Sequence, residues 1–161
     1  MEGLDIRYTY VTDISHLREW VNHPDVIKWF PMSTEKEIED AVQCWIGFCR
    51  WSCSLTATLN HAPCAIGTLF LMPYRKVAHQ ALFKLVVDPK WQKQGIGEAL
   101  IRNLKHLAKN YFHLDLIAIE IFEGNPILSL LRKQGFEEIF RQDGYVRNGK
   151  KLARIYMEAA L

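Results

Sequence analysis

The stretch from Leu82 to Leu107 limits the fold of this 161-residue chain more than any other. An apolar run ending at Val87 predicts a strand, and Pro89 stops it because proline cannot donate to a sheet ladder. A polar loop then leads to Gly95 and Gly97, after which apolar residues recur at the spacing of one helix face. The first N–H groups of that helix lack partners and carry the positive end of the helix dipole. The sequence therefore predicts an anion-binding site, best suited to phosphate, between a strand and a helix.

The pattern around the glycines distinguishes between several kinds of loop. A Walker loop is excluded because no Gly-Lys-Ser/Thr follows, and a dinucleotide fingerprint needs a third glycine where Leu100 stands. A plain β–α turn would use the glycines for close packing alone. The run Gln92-Lys93-Gln94-Gly95-Ile96-Gly97, after Val87-Asp88-Pro89, resembles the Q/R-x-x-G-x-G/A acyl-CoA loop of the GNAT N-acetyltransferases. We adopt this interpretation because strand, proline, glutamine, glycines and helix all agree.

The resemblance implies which residues hold acetyl-CoA. In the family the pantetheine arm lies in a V-shaped gap against strand backbone, which corresponds here to Leu85, Val86 and Val87. The pyrophosphate would lie on backbone N–H groups of the loop and helix start. These are Gln92, Lys93, Gln94, Gly95, Ile96 and Gly97, with Glu98 and Ala99 at the edge. Asn125 is expected to contact pantetheine, to cap the helix that follows it, or to do both.

The order of predicted elements indicates an α/β (α+β) fold formed by a single domain over residues 1–161. Strands are predicted over residues 5–11, 53–59, 65–72, 78–87, 115–122, 136–141 and 152–159. Helices are predicted from Asp13, which can cap the first, and over residues 25–30, 33–49, from Gly95, and over 127–134. Thr34 and Glu37 fit a capping box, and Asn148-Gly149 fits a hairpin turn. We expect a mixed, mostly antiparallel sheet of about seven strands with helices on both faces. The GNAT resemblance adds a V-shaped splay between the fourth and fifth strands.

Composition narrows the class of protein further. The sequence is 49% hydrophobic and 24% charged, which excludes disorder, and its apolar runs are too short to span a bilayer. No signal peptide precedes Asp5, so a cytoplasmic, reduced protein is expected. The four cysteines, Cys44, Cys49, Cys53 and Cys64, form no C-x-x-C pair and are expected to be buried or partly buried thiols, with no metal. Lysine and arginine are concentrated in the second half without a dense cluster, which suits a phosphorylated substrate better than nucleic acid.

Acetyl transfer to an amine requires a group that removes a proton, because an alkylamine has a pKa near ~10.4. We predict that Glu120 is this base, since a carboxylate on an apolar strand is expensive to bury without a function. The run from Glu120 to Asn125 also resembles the position of the glutamate in ribosomal-protein-alanine acetyltransferases. Alternatively, Glu120 pairs with Lys84 or an arginine across the sheet, or it is solvated at the end of the strand. Glu123, at the end of the strand, is expected to be solvated.

The departing thiolate benefits from an acid, and here the sequence departs from the family pattern. Counted back from Gly135-Phe136, the usual tyrosine position holds Leu131. Tyr145, Tyr156 or water could replace it, and sequence does not select one. The acceptor is expected to enter between the first helices and the last hairpin. Core packing is the preferred role for the aromatic residues there: Trp20, Trp29, Phe30, Trp45 and Trp51.

The sequence therefore predicts an enzyme that moves an acetyl group from acetyl-CoA to a primary amine. The amine would belong to a small molecule or to a peptide or protein N-terminus. The run from Leu17 to Val26, with Trp29 and Phe30, resembles the openings of aminoglycoside 6′-acetyltransferases and of protein N-terminal acetyltransferases, and it does not choose between these acceptors. The alternative, motivated by the missing tyrosine, is a non-catalytic acyl-CoA sensor or partner-binding module. No metal, nucleic acid or membrane is expected to take part, and a homodimer remains open.

Overall fold

A computed structural model describes residues 1–161, apart from the side chain of Asn148. Seven strands form one mixed sheet in the order β1-β2-β3-β4-β5-β7-β6. The strands are β1 Leu4–Tyr8, β2 Ser54–Leu59, β3 Ala62–Leu71, β4 Gln80–Val87, β5 Leu116–Phe122, β6 Glu137–Asn148 and β7 Lys150–Ala160. Only β4 and β5 run parallel; the other neighbouring pairs are antiparallel. The predicted mixed and mostly antiparallel sheet is therefore confirmed.

Helices cover both faces of the sheet, as predicted. They are α1 Ile14–Asn22, α2 Pro24–Ile27, α3 Glu35–Gly47, α4 Ile96–Asn110 and α5 Ile127–Lys133. Helices α1, α2 and α3 pack on one face against Ile66 and Val86. Helices α4 and α5 pack on the other face, where they share one hydrophobic core with the odd-numbered isoleucines of β5. Alternate side chains of a strand point to opposite faces of the sheet, so the sheet contributes to two hydrophobic cores, one on each face.

The packing of α4 against the sheet depends on a glycine in β3. A Cβ atom on Gly67 would lie 2.7 Å from Leu104 Cδ1, closer than Cβ atoms come in folded proteins, and 3.1 Å from Leu100, which is tighter than most contacts of a Cβ atom. Gly67 therefore lets α4 approach the sheet closely, and Leu100 and Leu104 are fully buried as a result. This close contact fixes where the start of α4 stands relative to β4.

The parallel pair β4 and β5 separates along its length. The strands pair at Gln80, Ala81 and Leu82 with Leu116, Ile117 and Ala118, and no further ladder pairs follow in the described chain. Both strands nevertheless continue, β4 to Val87 and β5 to Phe122. The sheet therefore opens into a V-shaped gap at the carboxyl ends of its parallel strands, as the GNAT resemblance predicted.

Some predicted boundaries were wrong, and the last hairpin matters most. The strand predicted to stop at residue 141 continues to Asn148, because β6 pairs with β7 on both sides of two register shifts, the second of which lies between Gln142 and Val146. The turn falls at Gly149, as predicted for Asn148-Gly149. At the other end of the chain, β1 stops at Tyr8 and α2 stops at Ile27, both three residues earlier than predicted.

The predicted helix cap at Asp13 was also wrong. Its carboxylate makes no capping bond to α1 and accepts hydrogen bonds from Arg7 (2.8 and 3.0 Å), the Tyr10 backbone N–H and the Thr56 hydroxyl. Burial alone would raise the pKa of Asp13, but these donors lower it below its usual value. Tertiary partners have overridden a local capping preference. The Thr34–Glu37 capping box, in contrast, forms as predicted at α3.

Three of the four thiols are at least partly buried, but Cys44 is exposed on α3, contrary to expectation. Burial raises the pKa of Cys53 to about 12 and that of Cys64 to about 11, so both thiols stay protonated at neutral pH. None of the helices in the described part of the chain has both the length and the apolar character needed to cross a bilayer.

Candidate active site

The gap between β4 and β5 opens into a cavity of about 680 Å³. One wall consists of β4, the loop after it and the start of α4. The opposite wall consists of β5, the loop before α5, and the β6–β7 hairpin; α2 and the turn after it close one end. Since β4 and β5 diverge there, their backbones line the cavity instead of pairing with each other.

The loop side of the cavity is shaped by two residues with positive φ. Lys93 has φ +60° and Gly95 has φ +86°, so the chain turns sharply before α4 begins at Ile96. A Cβ atom on Gly97 would sit 3.5–3.8 Å from the side chains of Leu130, Leu85 and Val87. All three line the cavity, so the missing side chain of Gly97 leaves space in the cavity itself.

The structure brings most of the predicted acetyl-CoA residues to this cavity. Its lining includes Leu85, Val86, Val87, Gln92, Lys93, Gly95, Gly97, Glu98 and Asn125. Three predicted residues do not line it: Gln94, Ile96 and Ala99. Ile96 points into the core, where it is 1% exposed, and the Gln94 amide is directed back to the Lys90 carbonyl. Any contact these three make with a ligand would come from their backbone.

Two residues at the edge of the cavity have their polar groups already engaged. Glu98, an acid beside a predicted anion site, forms an ion pair with Lys133 at 3.0 Å and accepts a hydrogen bond from Gln134. These partners offset its charge. The Asn125 side chain accepts a hydrogen bond from the Ile127 N–H, so it caps the start of α5 while also lining the cavity.

Glu120 lies on the opposite wall. The apolar strand around it had suggested a buried carboxylate, but the side chain is not buried. Its side chain is 41% exposed and lines the cavity, because β5 has no neighbour on the β4 side beyond Ala118. Glu120 Oε1 accepts a hydrogen bond from Arg154 Nη1 at 3.2 Å. The arginine across the sheet that we considered as a partner is therefore Arg154, on β7, and the pair faces the cavity.

Arg154 is held in place by aromatic rings. Its guanidinium carbon lies 4.6 Å from the Tyr145 ring centre and 5.2 Å from that of Phe140. Only Nη1 has a hydrogen-bond partner among the described residues, and Nε is buried without one. A buried donor without a partner lowers the free energy of unfolding by about 1–3 kcal/mol, so the hydrogen-bonding capacity of Arg154 is only partly satisfied. No local sequence pattern pointed to Arg154, because its neighbours in the cavity are distant along the chain.

Lys84 faces Glu120 across the gap. Continuing the β4–β5 register by two residues would place them opposite each other, but the strands have separated. The Lys84 ammonium lies 4.9 Å from the Phe70 ring centre and 5.9 Å from Trp45, and no carboxylate of the described side chains lies within 4.0 Å. Burial lowers the pKa of Lys84, and the negative charge of Glu120 acts in the opposite direction.

The structure also narrows the search for an acid. Leu131, at the family's tyrosine position, is fully buried in the core and cannot face the cavity. Tyr145 lines the cavity because β6 extends past the predicted loop. Tyr156 stacks on Phe140 with 5.2 Å between ring centres, lies outside the cavity lining, and has a pKa raised by burial. Of the two tyrosines considered, only Tyr145 lines the cavity.

The aromatic residues of the first helices divide between core and cavity. Trp20 and Trp45 are 2% exposed and belong to the core, as preferred from sequence. Trp29 and Phe30, in the turn after α2, line the cavity and correct that expectation. Trp51 is exposed. Glu123 does not line the cavity; Arg141 and the Ala153 N–H bind its carboxylate, which lowers its pKa.

Residues 42–138 match the sequence model of the acetyltransferase (GNAT) domain. The chain belongs to the GNAT acetyltransferase family. A curated relative of this GNAT protein, an L-amino acid N-acetyltransferase from Escherichia coli, is 32% identical over 82 residues. That match covers 50% of the present chain and 51% of the relative, so the chain matches only about half the length of that protein.

Solved structures share the fold of this GNAT protein over nearly all of its length. The structure of an acetyltransferase from Salmonella typhimurium with its cofactor acetyl-CoA aligns with a TM-score of 0.84 at 17% identity, covering 99% of this chain and 95% of that one. The crystal structure of a ribosomal-protein-alanine N-acetyltransferase from Brucella melitensis aligns with a TM-score of 0.81 at 21% identity, covering 98% and 99%. At these identities the similarity establishes the fold.

Proposed function

We propose that this GNAT protein transfers an acetyl group from acetyl-CoA to a primary amine. The observation that carries the proposal is the separation of β4 from β5 beside the Gly95–Gly97 loop. It leaves strand backbone and helix N–H groups free on one wall and a carboxylate on the other. The acetyl-CoA bound to a structural relative supports the same ligand here.

Acetyl-CoA would use the wall formed by β4 and α4. The phosphates would bind at the N–H groups from Gln92 to Gly97, where Lys93 adds a positive charge. The pantetheine arm would run along Leu85 to Val87 in the opened sheet, with Asn125 at its side. The backbone N–H groups of this wall could also stabilise the oxyanion that forms on the thioester carbonyl.

Glu120 would take the proton from the acceptor. The amine nitrogen attacks the thioester carbonyl carbon, an N–C bond forms, and the C–S bond breaks so that CoA leaves as a thiolate. An acceptor that arrives as an ammonium first loses one proton to Glu120, directly or through water, and Glu120 passes it to solvent. After the attack the nitrogen loses its second proton and the thiolate gains one from Tyr145 or from water, so the whole reaction releases one proton and leaves an amide and free CoA thiol. The exposed position of Glu120 leaves room for the acceptor between its carboxylate and β4. No step requires a metal.

Titration calorimetry with acetyl-CoA, followed by an acetylation screen, tests the proposal. We expect binding at or below the millimolar range and release of free CoA thiol with at least one class of amine: amino acids, polyamines, aminoglycosides or peptides with alanine at the N-terminus. Absence of acetyl-CoA binding at millimolar concentration would overturn the proposal. Binding without turnover on any acceptor would instead support the sensor alternative, which the buried Leu131 motivates.

A further inference from the structure

The charges that line the cavity are unequally paired. They belong to Asp25, Lys84, Lys93, Glu98, Glu120 and Arg154. Each acid has a basic partner: Asp25 has Lys28 at 3.8 Å, Glu98 has Lys133 at 3.0 Å and Glu120 has Arg154 at 3.2 Å. Among the described side chains, only Lys84 and Lys93 line the cavity without an acid within 4.0 Å. Both lie on the β4–α4 wall, Lys84 on β4 and Lys93 in the loop after it, so this wall carries two unpaired positive charges.

The two unpaired lysines face different parts of the cavity. Lys93 lies in the loop that would bind the phosphates, and these would neutralise it. Lys84 faces Glu120 across the gap, in the part of the cavity where the acceptor would enter. Acetyl-CoA would place no anion beside Lys84 there. A half-buried ammonium that rests on aromatic rings is stabilised when an anion accompanies it. An acceptor with a negative charge would provide that anion, whereas a polyamine or an aminoglycoside would add further positive charge.

Arg154 supplies donors for such an anion. Nη1 is bound to Glu120, whereas Nε is buried without a partner and Nη2 has none among the described hydrogen bonds. Nη2 is therefore the donor that a carboxylate in the cavity would meet first. Two parallel hydrogen bonds to the Nε and Nη2 edge would require a small movement of the side chain that uncovers Nε. The rings of Tyr145 and Phe140 hold the guanidinium in orientation. Glu120 and Arg154 are in direct contact at 3.2 Å, so an amine at Glu120 and a carboxylate at Arg154 would be close enough to belong to one small molecule.

We propose that the acceptor is an amine with a carboxylate on the adjacent carbon, as in a free α-amino acid, and that Arg154 binds this carboxylate while Glu120 faces the amine. Lys84 increases the positive potential around the carboxylate. The proposal rests on the acetyltransferase function above. It excludes peptide N-termini as the preferred acceptor, because their α-carboxyl group is an uncharged amide. The aromatic lining from Trp29, Phe30 and Phe122 suits an apolar amino-acid side chain.

The first experiment compares L-phenylalanine with L-phenylalaninamide as acceptors. The two differ in the carboxylate, and the amide has the more easily deprotonated amine, near a peptide pKa of roughly 7.7–8.0. We expect the wild-type protein to prefer the amino acid in kcat/KM despite this chemical disadvantage. Arg154→Gln should lower kcat/KM for phenylalanine about 10- to 100-fold, mainly through KM, the range for loss of a charged hydrogen-bonded pair.

The ratio of the two substrates isolates the carboxylate. Any effect of Arg154→Gln on Glu120 changes kcat/KM for both substrates alike. The lost interaction with the carboxylate affects phenylalanine alone, so kcat/KM for the amide should fall by a smaller factor. The preference for phenylalanine over the amide should therefore disappear. Arg154→Lys, which retains the charge, should recover part of the preference. Arg147→Gln is the matched control, since Arg147 is exposed on the same hairpin and does not line the cavity. An unchanged ratio in Arg154→Gln, or a wild-type preference for the amide, would overturn the proposal.

A binding measurement decides the matter without turnover. Calorimetry with 3-phenylpropanoate and with 3-phenylpropanamide, both lacking the amine, should show tighter binding of the carboxylate, lost in Arg154→Gln. Equal affinities for the two probes would contradict the proposal. Acetyl-CoA titration of the same samples separates the two claims. Failure to bind acetyl-CoA would remove the enzymatic function, whereas normal binding and turnover with no carboxylate preference would remove only this inference.

Discussion

The two walls of the cavity are built in different ways. The β4–α4 wall comes from one continuous segment, in which the strand, the Pro89 turn, Gly95, Gly97 and the helix start follow one another. The opposite wall combines side chains from β5, β7, the β6 extension and the turn after α2. The first wall offers backbone groups and empty space to a ligand, and the second offers charged and aromatic side chains. A ligand site built from backbone can be encoded locally, whereas one built from side chains depends on how distant segments pack.

This difference leads to separate expectations for the two walls. Changes in the continuous segment should alter the affinity for acetyl-CoA, because backbone N–H groups and the glycine space act there. Changes in the assembled wall should alter the chemical step or the choice of acceptor and leave acetyl-CoA binding intact. Variants that affect both quantities together would show that the two walls do not work independently.

The largest expected effect is that of Gly97→Glu on the continuous segment. The new side chain would enter the space between Leu85, Val87 and Leu130 and place a negative charge beside the phosphate loop. Unfavourable juxtaposition of like charges costs several kcal/mol, so acetyl-CoA affinity should fall about 100-fold or more by calorimetry. Gly47→Ala is the control, because a Cβ atom there meets nothing within 4 Å. Retained affinity in folded Gly97→Glu protein would contradict the assignment of the loop.

Glu120→Gln should have the next largest effect, and on the other wall. Glutamine keeps the size of the side chain but cannot accept the proton, so kcat should fall about 10²-fold while acetyl-CoA affinity changes little. The deficit should shrink near pH ~10, where an alkylamine deprotonates unaided. Glu123→Gln is the matched control, because Arg141 and the Ala153 N–H occupy that carboxylate outside the cavity. An unimpaired Glu120→Gln enzyme would transfer the base role to a water molecule.

A third variant, Asp13→Asn, changes a residue outside both walls of the cavity. It tests whether the stability of the fold can change without a change in binding or catalysis. Loss of the buried pair with Arg7 should lower the free energy of unfolding by roughly 1.5–3 kcal/mol, with unchanged kinetic constants per folded molecule. Because folding lowers the pKa of Asp13, its stabilisation is present above the unfolded pKa near ~3.9 and is lost as the pH falls through the folded pKa. The difference in melting temperature between wild type and variant should therefore begin to shrink below pH ~4 and close once the pH is below the lowered pKa of folded Asp13. A difference that persisted there would show that the charge is not the cause.

The smallest expected effect on stability is a gain, from Lys84→Met. Burial lowers the pKa of Lys84, so the folded state is destabilised at pH values where this amine carries a charge in the unfolded chain. Methionine would remove that cost and pack on Phe70 and Trp45, raising the free energy of unfolding by about 1 kcal/mol at neutral pH. Chemical denaturation measures this gain, while acetylation assays should show a weaker selection for carboxylate-bearing amines. A loss of stability would mean that the ammonium has a partner that the present geometry does not show.

The sequence by itself determined the β4–α4 wall and the class of fold. Pro89, Gly95 and Gly97 act through local backbone rules, namely blocked ladder pairing, positive φ and space for a ligand, so their consequences are legible without the rest of the chain. The alternating apolar pattern of β5 likewise assigned its side chains to two faces, as observed. The V-shaped gap between β4 and β5 followed from the family resemblance that this segment supports.

Only the tertiary structure decided how the opposite wall is equipped. The exposure of Glu120 depends on the point where β4 and β5 separate, and that distance between strands is not written in the pattern of β5. Arg154 reached Glu120 through the β5–β7 register, and Tyr145 reached the cavity because pairing along β6 continued past the predicted loop. For the same reason, the Asp13 carboxylate binds Arg7 and Thr56 instead of capping a helix. A side chain chooses among partners by their proximity in space, and proximity between distant segments is set by packing of the whole sheet.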